Sequence, residues 1–334
     1  MANTLKDIQK DISNDAVRRL VDLSEFTGEL PPSSPVQGSS YGYTSGGITP
    51  SYSNVIDKFS FVSNGDATNV GDLTESKSGA AGQSSGSNGY TSGGETAPYT
   101  ASNVIDKFPF ASNTNATDVG DLTISRYLAA GQSSSESGYT SGGTPISSSN
   151  VIDKFPFASS FTTATDVGDL TLSRYSSAGQ SSFESGYTSG GLNYKDTIDK
   201  FSFASNENAT DVGELTVLRF AMTGQSSNVY GYTSGGSIGF AFSSPANART
   251  NVIDKFSFVA NVNATNVGDL TVARQGQAGQ SSTESGYTSG GTVDFATAPP
   301  NSTVIDKFSF ASEANATNVG VLTVSRYQLA GQQY

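Results

Sequence analysis

The chain has 334 residues, a formal net charge of -12, 35% hydrophobic residues, and neither Cys nor His. Disulfide frameworks, thiol chemistry, the usual general base and the commonest metal ligand are therefore missing, and no cofactor is expected. Of the 18 basic residues, 12 fall at repeat positions, which leaves no basic stripe for nucleic acid; no apolar run is long enough for membrane insertion.

The first elements differ from the rest. Leu5, Ile8 and Ile12 recur at helical spacing, and Ala16, Val17, Leu20 and Val21 do so again after Ser13-Asn14-Asp15, a capping sequence. This predicts a short helical arm over residues 1–30 with one apolar side. It either packs on its own domain or docks into a partner. The opening MANTLKDIQKDIS lacks the apolar core of a secretory signal. Pro31, Pro32 and Pro35 among serines then predict a linker over residues 31–40.

From residue 41 to 334 one unit repeats. GYTSGG begins at Gly42, Gly89, Gly138, Gly186, Gly231 and Gly286, at intervals of 47, 49, 48, 45 and 55 residues. Each copy continues through a variable loop, a (V/T)IDKF(S/P)F segment, an AT(D/N)VG-x-LT segment, a basic residue and a Gly-Gln pair. GYTSGG is short and strand-compatible. In VIDKFSF, Val55, Asp57, Phe59 and Phe61 alternate with Ile56, Lys58 and Ser60, as in a strand. VGDLT is a third strand, and segments such as YLAAGQ a fourth. Four short antiparallel strands per unit match one propeller blade. The first GYTSGG lacks a full strand before it, while the last unit ends with a spare one, Ala330-Gly331-Gln332. Pairing the two would close a ring and remove both exposed edges.

The unit resembles the kelch motif: a double glycine after an aromatic, an aromatic third strand, and a basic residue before a small-residue strand. In the first copy Tyr43, Gly46-Gly47, Phe59, Phe61, Leu73, Lys77 and Ala80-Ala81-Gly82 fill these places; in the second Tyr90, Gly93-Gly94, Phe108, Phe110, Leu122 and Arg126 do. No Trp stands where kelch units usually carry one, and Val70 and Val119 lie nearby. The near-identical GYTSGG and NVIDKF copies also resemble repeats in structural proteins of marine bacteriophages. The resemblance implies an all-β fold, a six-bladed kelch-like β-propeller, to which the short N-terminal helical arm read from the spacing above is attached. It further implies a phage virion component.

The repeated carboxylates are Asp57, Asp106, Asp153, Asp199, Asp254 and Asp306, which share a strand face with two Phe. A buried carboxylate needs a partner. The basic residue of the same period (Lys77, Arg126, Arg174, Arg219, Arg274, Arg326) is expected to supply it as a structural, buried or half-buried blade-to-blade ion pair. Six equal copies argue against a catalytic pair. A second acidic position, Asp72, Asp121, Asp169, Glu214 and Asp269, is Val321 in the last unit and reads as a surface role; calcium-loop spacing is absent. Asn115, Asn208, Asn263 and Asn315 begin N-A-T and read as turn residues rather than glycan acceptors. The copper site of galactose oxidase, a kelch-fold enzyme, needs His and Cys and cannot be built here. The S-x-D-x-G-x-T-W boxes of sialidases are absent too.

The loops between GYTSGG and IDKF differ in length and hold Tyr52, Tyr99, Tyr194, Phe240, Phe242, Arg249 and Phe295. Divergent aromatic loops on a fixed scaffold suit binding of a host surface glycan or protein. The alternative is that they pack locally. Together with the resemblance, this implies a non-enzymatic virion structural or host-recognition protein of a phage, joined to other virion proteins through its arm. A polysaccharide-degrading propeller or a bacterial surface scaffold is the alternative.

Overall fold

The computed structural model describes residues 37–144, 147–158, 161–192, 196–238, 248–293 and 300–334. The chain divides into Met1–Pro32 and Ser33–Tyr334. The predicted arm and most of the predicted linker lie outside the described residues.

The described part is all-β and propeller-like. Six four-stranded antiparallel sheets follow one another along the chain. In the second sheet the strands run from the inside outward as Ala81–Ser84, Asn88–Ser92, Val104–Pro109 and Thr117–Asp121. The inner strand is supplied by the end of the preceding repeat. In the first sheet it is Ala330–Gln333, which pairs with Tyr41–Ser45 in the register Gly42↔Gln333 to Ser45↔Ala330. The spare last strand therefore takes the place that the first unit leaves open.

Register explains the motif. Gly42 lies opposite Phe59, and a Cβ there would stand 2.4 Å from the Phe59 ring. The first Gly of GYTSGG is thus the bed on which the cross-strand Phe lies, and the same contact recurs in all six sheets. The following Tyr faces the next sheet. Tyr43 packs on Phe108 and Phe110 at 5.6 and 4.8 Å between ring centroids, and Tyr287 of the last sheet packs on Phe61 of the first at 4.5 Å.

Strict in-out alternation of VIDKF does not hold energetically. Ile56 is as buried as Asp57 and Phe59, because sheets cover both faces. Ile56 joins Tyr43, Leu73, Phe108, Phe110 and Ala116 in one cluster, whereas Phe59 and Phe61 join Tyr287, Ile305 and Leu322 in another. A register shift between Ile56 and Asp57 marks a bulge in every copy at this place.

Around the axis the inner strands lie side by side, the last beside the first. Gly82, Gly131, Gly179, Gly224, Gly279 and Gly331 meet there. A Cβ on any of them would lie 2.0 to 2.3 Å from the carbonyl oxygen of the glycine before it. At one mouth a second ring forms from backbone hydrogen bonds. Leu128 donates to Gly79, Ser176 to Leu128, Ala221 to Ser176, Gly276 to Ala221, Gln328 to Gly276 and Gly79 to Gln328, at 2.6 to 2.9 Å. All six residues have φ between 54° and 65°. The cycle returns to its starting residue.

Candidate functional site

The repeated charges serve the joints between sheets. Lys77 pairs with Asp106, Arg126 with Asp153, Arg174 with Asp199, Arg219 with Asp254, Arg274 with Asp306 and Arg326 with Asp57. Every one of these side chains is fully buried. Each cation reaches the Asp of the following repeat. The reason is topological, since the cation sits on the connection that carries the chain from one sheet to the next. Arg126 also donates to the carbonyls of Gly142 and Val151 at 3.1 and 3.0 Å. Burial pushes the guanidinium pKa of Arg126 and its counterparts down, and the paired carboxylates oppose this.

Sequence reasoning missed the third member of this joint. The Thr of each LT segment holds the next Asp through its hydroxyl, and in five of the six joints through its amide too, as Thr123 does with Asp153 at 2.7 and 3.0 Å. The N-A-T asparagines also act across joints: Asn115 Oδ1 accepts from the Asp72 amide at 3.1 Å and Asn208 Oδ1 from Asp169 at 3.0 Å. They lie on the rim opposite the variable loops. A groove of about 690 Å³ also opens there between the second and third sheets, over Lys107, Asp118, Phe157 and Phe161.

The described ends of the variable loops lie at the mouth that carries the backbone hydrogen-bond ring. Ala81 pairs with Ser92, so the start of each inner strand lies beside the end of the second strand, where the variable loop begins. The loops dock on the connections: Ile48 bridges Tyr327, Thr144 bridges Tyr127, Thr292 bridges Gln275, and Lys77–Ser78 pairs with Glu95–Thr96. Tyr52 is half-buried and donates its hydroxyl to Glu95 Oε2 at 2.8 Å. Tyr99 is 85% exposed. Arg249 is half-buried in a small sheet opposite Ser237. Tyr194, Phe240, Phe242 and Phe295 lie outside the described residues.

The loop residues are joined by aromatics that the repeat comparison passed over. The residue before each member of the hydrogen-bond ring is Tyr327, Ser78, Tyr127, Tyr175, Phe220 or Gln275 in order round the axis. The four aromatics are half-buried. They stand about the mouth, interrupted at Gln275 and at Ser78, which is buried. The signal was present as a Tyr or Phe directly after the repeated Arg in four of six units. Burial, the hydrogen bond to Glu95 and the neighbouring Glu95, Tyr99 and Tyr327 push the Tyr52 hydroxyl up to about 12. Burial, then Glu95, also raises Tyr127 and Tyr327. Glu95 lies at the gap between Tyr327 and Tyr127, where it pairs with Ser78 and accepts the hydrogen bond of Tyr52. The arrangement offers ring surface and hydrogen-bonding groups together, which is the chemistry of a recognition surface.

No protein-family model matches the chain, and no curated protein matches it.

Proposed function

We propose that the chain is a six-bladed kelch-like β-propeller that acts as a non-enzymatic virion structural or host-recognition protein of a phage. The variable rim meets the host surface glycan or protein, and the N-terminal arm joins other virion proteins. The observation that carries the reading is the division of labour between rims. Repeated Asp, Arg, Thr and Asn side chains are used in joints between sheets. Sequence differences fall in the variable loops, whose described ends lie with the four aromatics at one mouth. A surface that varies on a repeated frame is free to change its ligand without loosening the frame. The phage setting rests on the resemblance of the GYTSGG and NVIDKF copies.

The test uses purified particles and purified protein. Antibody against the chain should label particles, and the soluble protein should compete with them for adsorption to host cells. Label absent from particles, or release of soluble sugar from host polysaccharide by the protein, would overturn the reading in favour of the surface-scaffold or the enzyme alternative respectively.

A further inference from the structure

We infer that Glu95 and the tyrosines around it form a subsite for a neutral hexopyranose. The inference rests on the variable rim being the recognition face, and it names the ligand class there. Three observations lead to it. Ser78 is paired with Glu95 and occupies the one place between Tyr327 and Tyr127 where the connection carries no ring, so the Glu95 carboxylate is the polar group at that place. Tyr52 meets Glu95 Oε2 through its hydroxyl, which orients the carboxylate and leaves it further acceptor positions for sugar hydroxyls. Tyr99, in the turn of the hairpin that pairs Glu95–Thr96 with Thr100–Ala101, exposes 85% of its surface and so offers a flat apolar ring to the C–H face of a pyranose.

Charge narrows the class. A carboxylate at the centre of the subsite, on a chain of net charge -12, repels uronic and sialic acids. A quaternary ammonium calls for ring faces on several sides. Here Tyr52 turns its hydroxyl rather than its face toward Glu95. A neutral ring with vicinal hydroxyls uses both the acceptor and the exposed phenol face.

Saturation-transfer NMR of the full chain with the methyl glycosides of glucose, galactose and mannose tests this, with glucuronate and choline as controls. At least one hexoside should bind, and glucuronate and choline should not. Glu95→Ala and Tyr99→Ala should each weaken the hexoside by about tenfold. Glu95→Gln, which keeps the shape and one acceptor, should weaken it less. Phe183→Ala, an exposed aromatic on the opposite rim, should change nothing. Melting curves check that each variant is folded. Binding that ignores Glu95 and Tyr99, binding of only glucuronate or choline, or no hexoside binding would overturn the subsite. Adsorption to host cells separates the two levels. If the protein adsorbs through the variable loops yet no hexoside competes, the rim reading stands and the subsite falls. If it does not adsorb, the rim reading itself falls.

Discussion

Asp199 accepts hydrogen bonds from the Thr171 hydroxyl and amide and pairs with Arg174, with both charged side chains buried. Arg174→Met would leave that carboxylate without its counter-charge, at a cost of about 3–5 kcal/mol. A loss within error of zero in chemical denaturation would show that the pair contributes nothing. The first joint is the exception, because Lys77 is a point charge where five other joints have a guanidinium fork. Lys77→Arg should add bonds to the Gly93 and Val104 carbonyls, as Arg126 makes to Gly142 and Val151, and raise stability by about 1–2 kcal/mol. The buried tyrosines set an alkaline limit. Tyr139, Tyr187, Tyr232 and Tyr287 are pushed up from 10 to about 12 by burial. A raised folded pKa means the folded state holds protons that the unfolded state loses. Stability is therefore complete below pH 10 and falls as pH rises toward 12. Phenolate absorbance should show these groups ionising together with unfolding; smooth titration of a folded chain near pH 10 would contradict their burial.

At the scale of the element, the last strand carries the most. Residues 328–334 include Gln328 of the backbone ring, Gly331 of the axial ring, and Gln332, which donates to Ser45, Tyr90 and Thr91 at 2.9 to 3.1 Å. Deleting these seven residues opens both rings and exposes the edge of Tyr41–Ser45. The truncated protein should melt at a markedly lower temperature or aggregate, and an unchanged melting curve with a monodisperse profile would contradict ring closure. The strands themselves were legible because each motif returns at the same place in its period. What the period hides is which copy a residue faces. Asp153 and Arg174 lie in one repeat, yet Asp153 pairs with Arg126 of the repeat before, since connections cross from sheet to sheet. Alternation hides a second fact: Ile56 and Phe59 point to opposite faces and are both buried, because each sheet is covered on both sides.

At the scale of the whole molecule, repetition built the frame and its exceptions built the candidate site. Looking for what recurs finds Asp57 and Arg326 but passes over Ser78, Tyr127, Tyr175, Phe220 and Tyr327, which share a position and differ in identity. Their common place round the mouth emerges only from the hydrogen-bond ring that orders the six connections. Tyr99 and Tyr52 were found as loop aromatics, but the loop alone did not say that one is exposed and the other is held by Glu95. The central claim is that the frame is fixed and the variable rim does the recognising. Binding of the purified chain to host cells should be measured for the parent and for a variant whose other five variable loops are replaced by the short segment of residues 192–196, with Tyr194→Ser in every copy. The account predicts an unchanged melting temperature and lost binding. Binding that survives loop replacement but is lost on changes at the Asn115, Asn208 and Phe161 rim would contradict it.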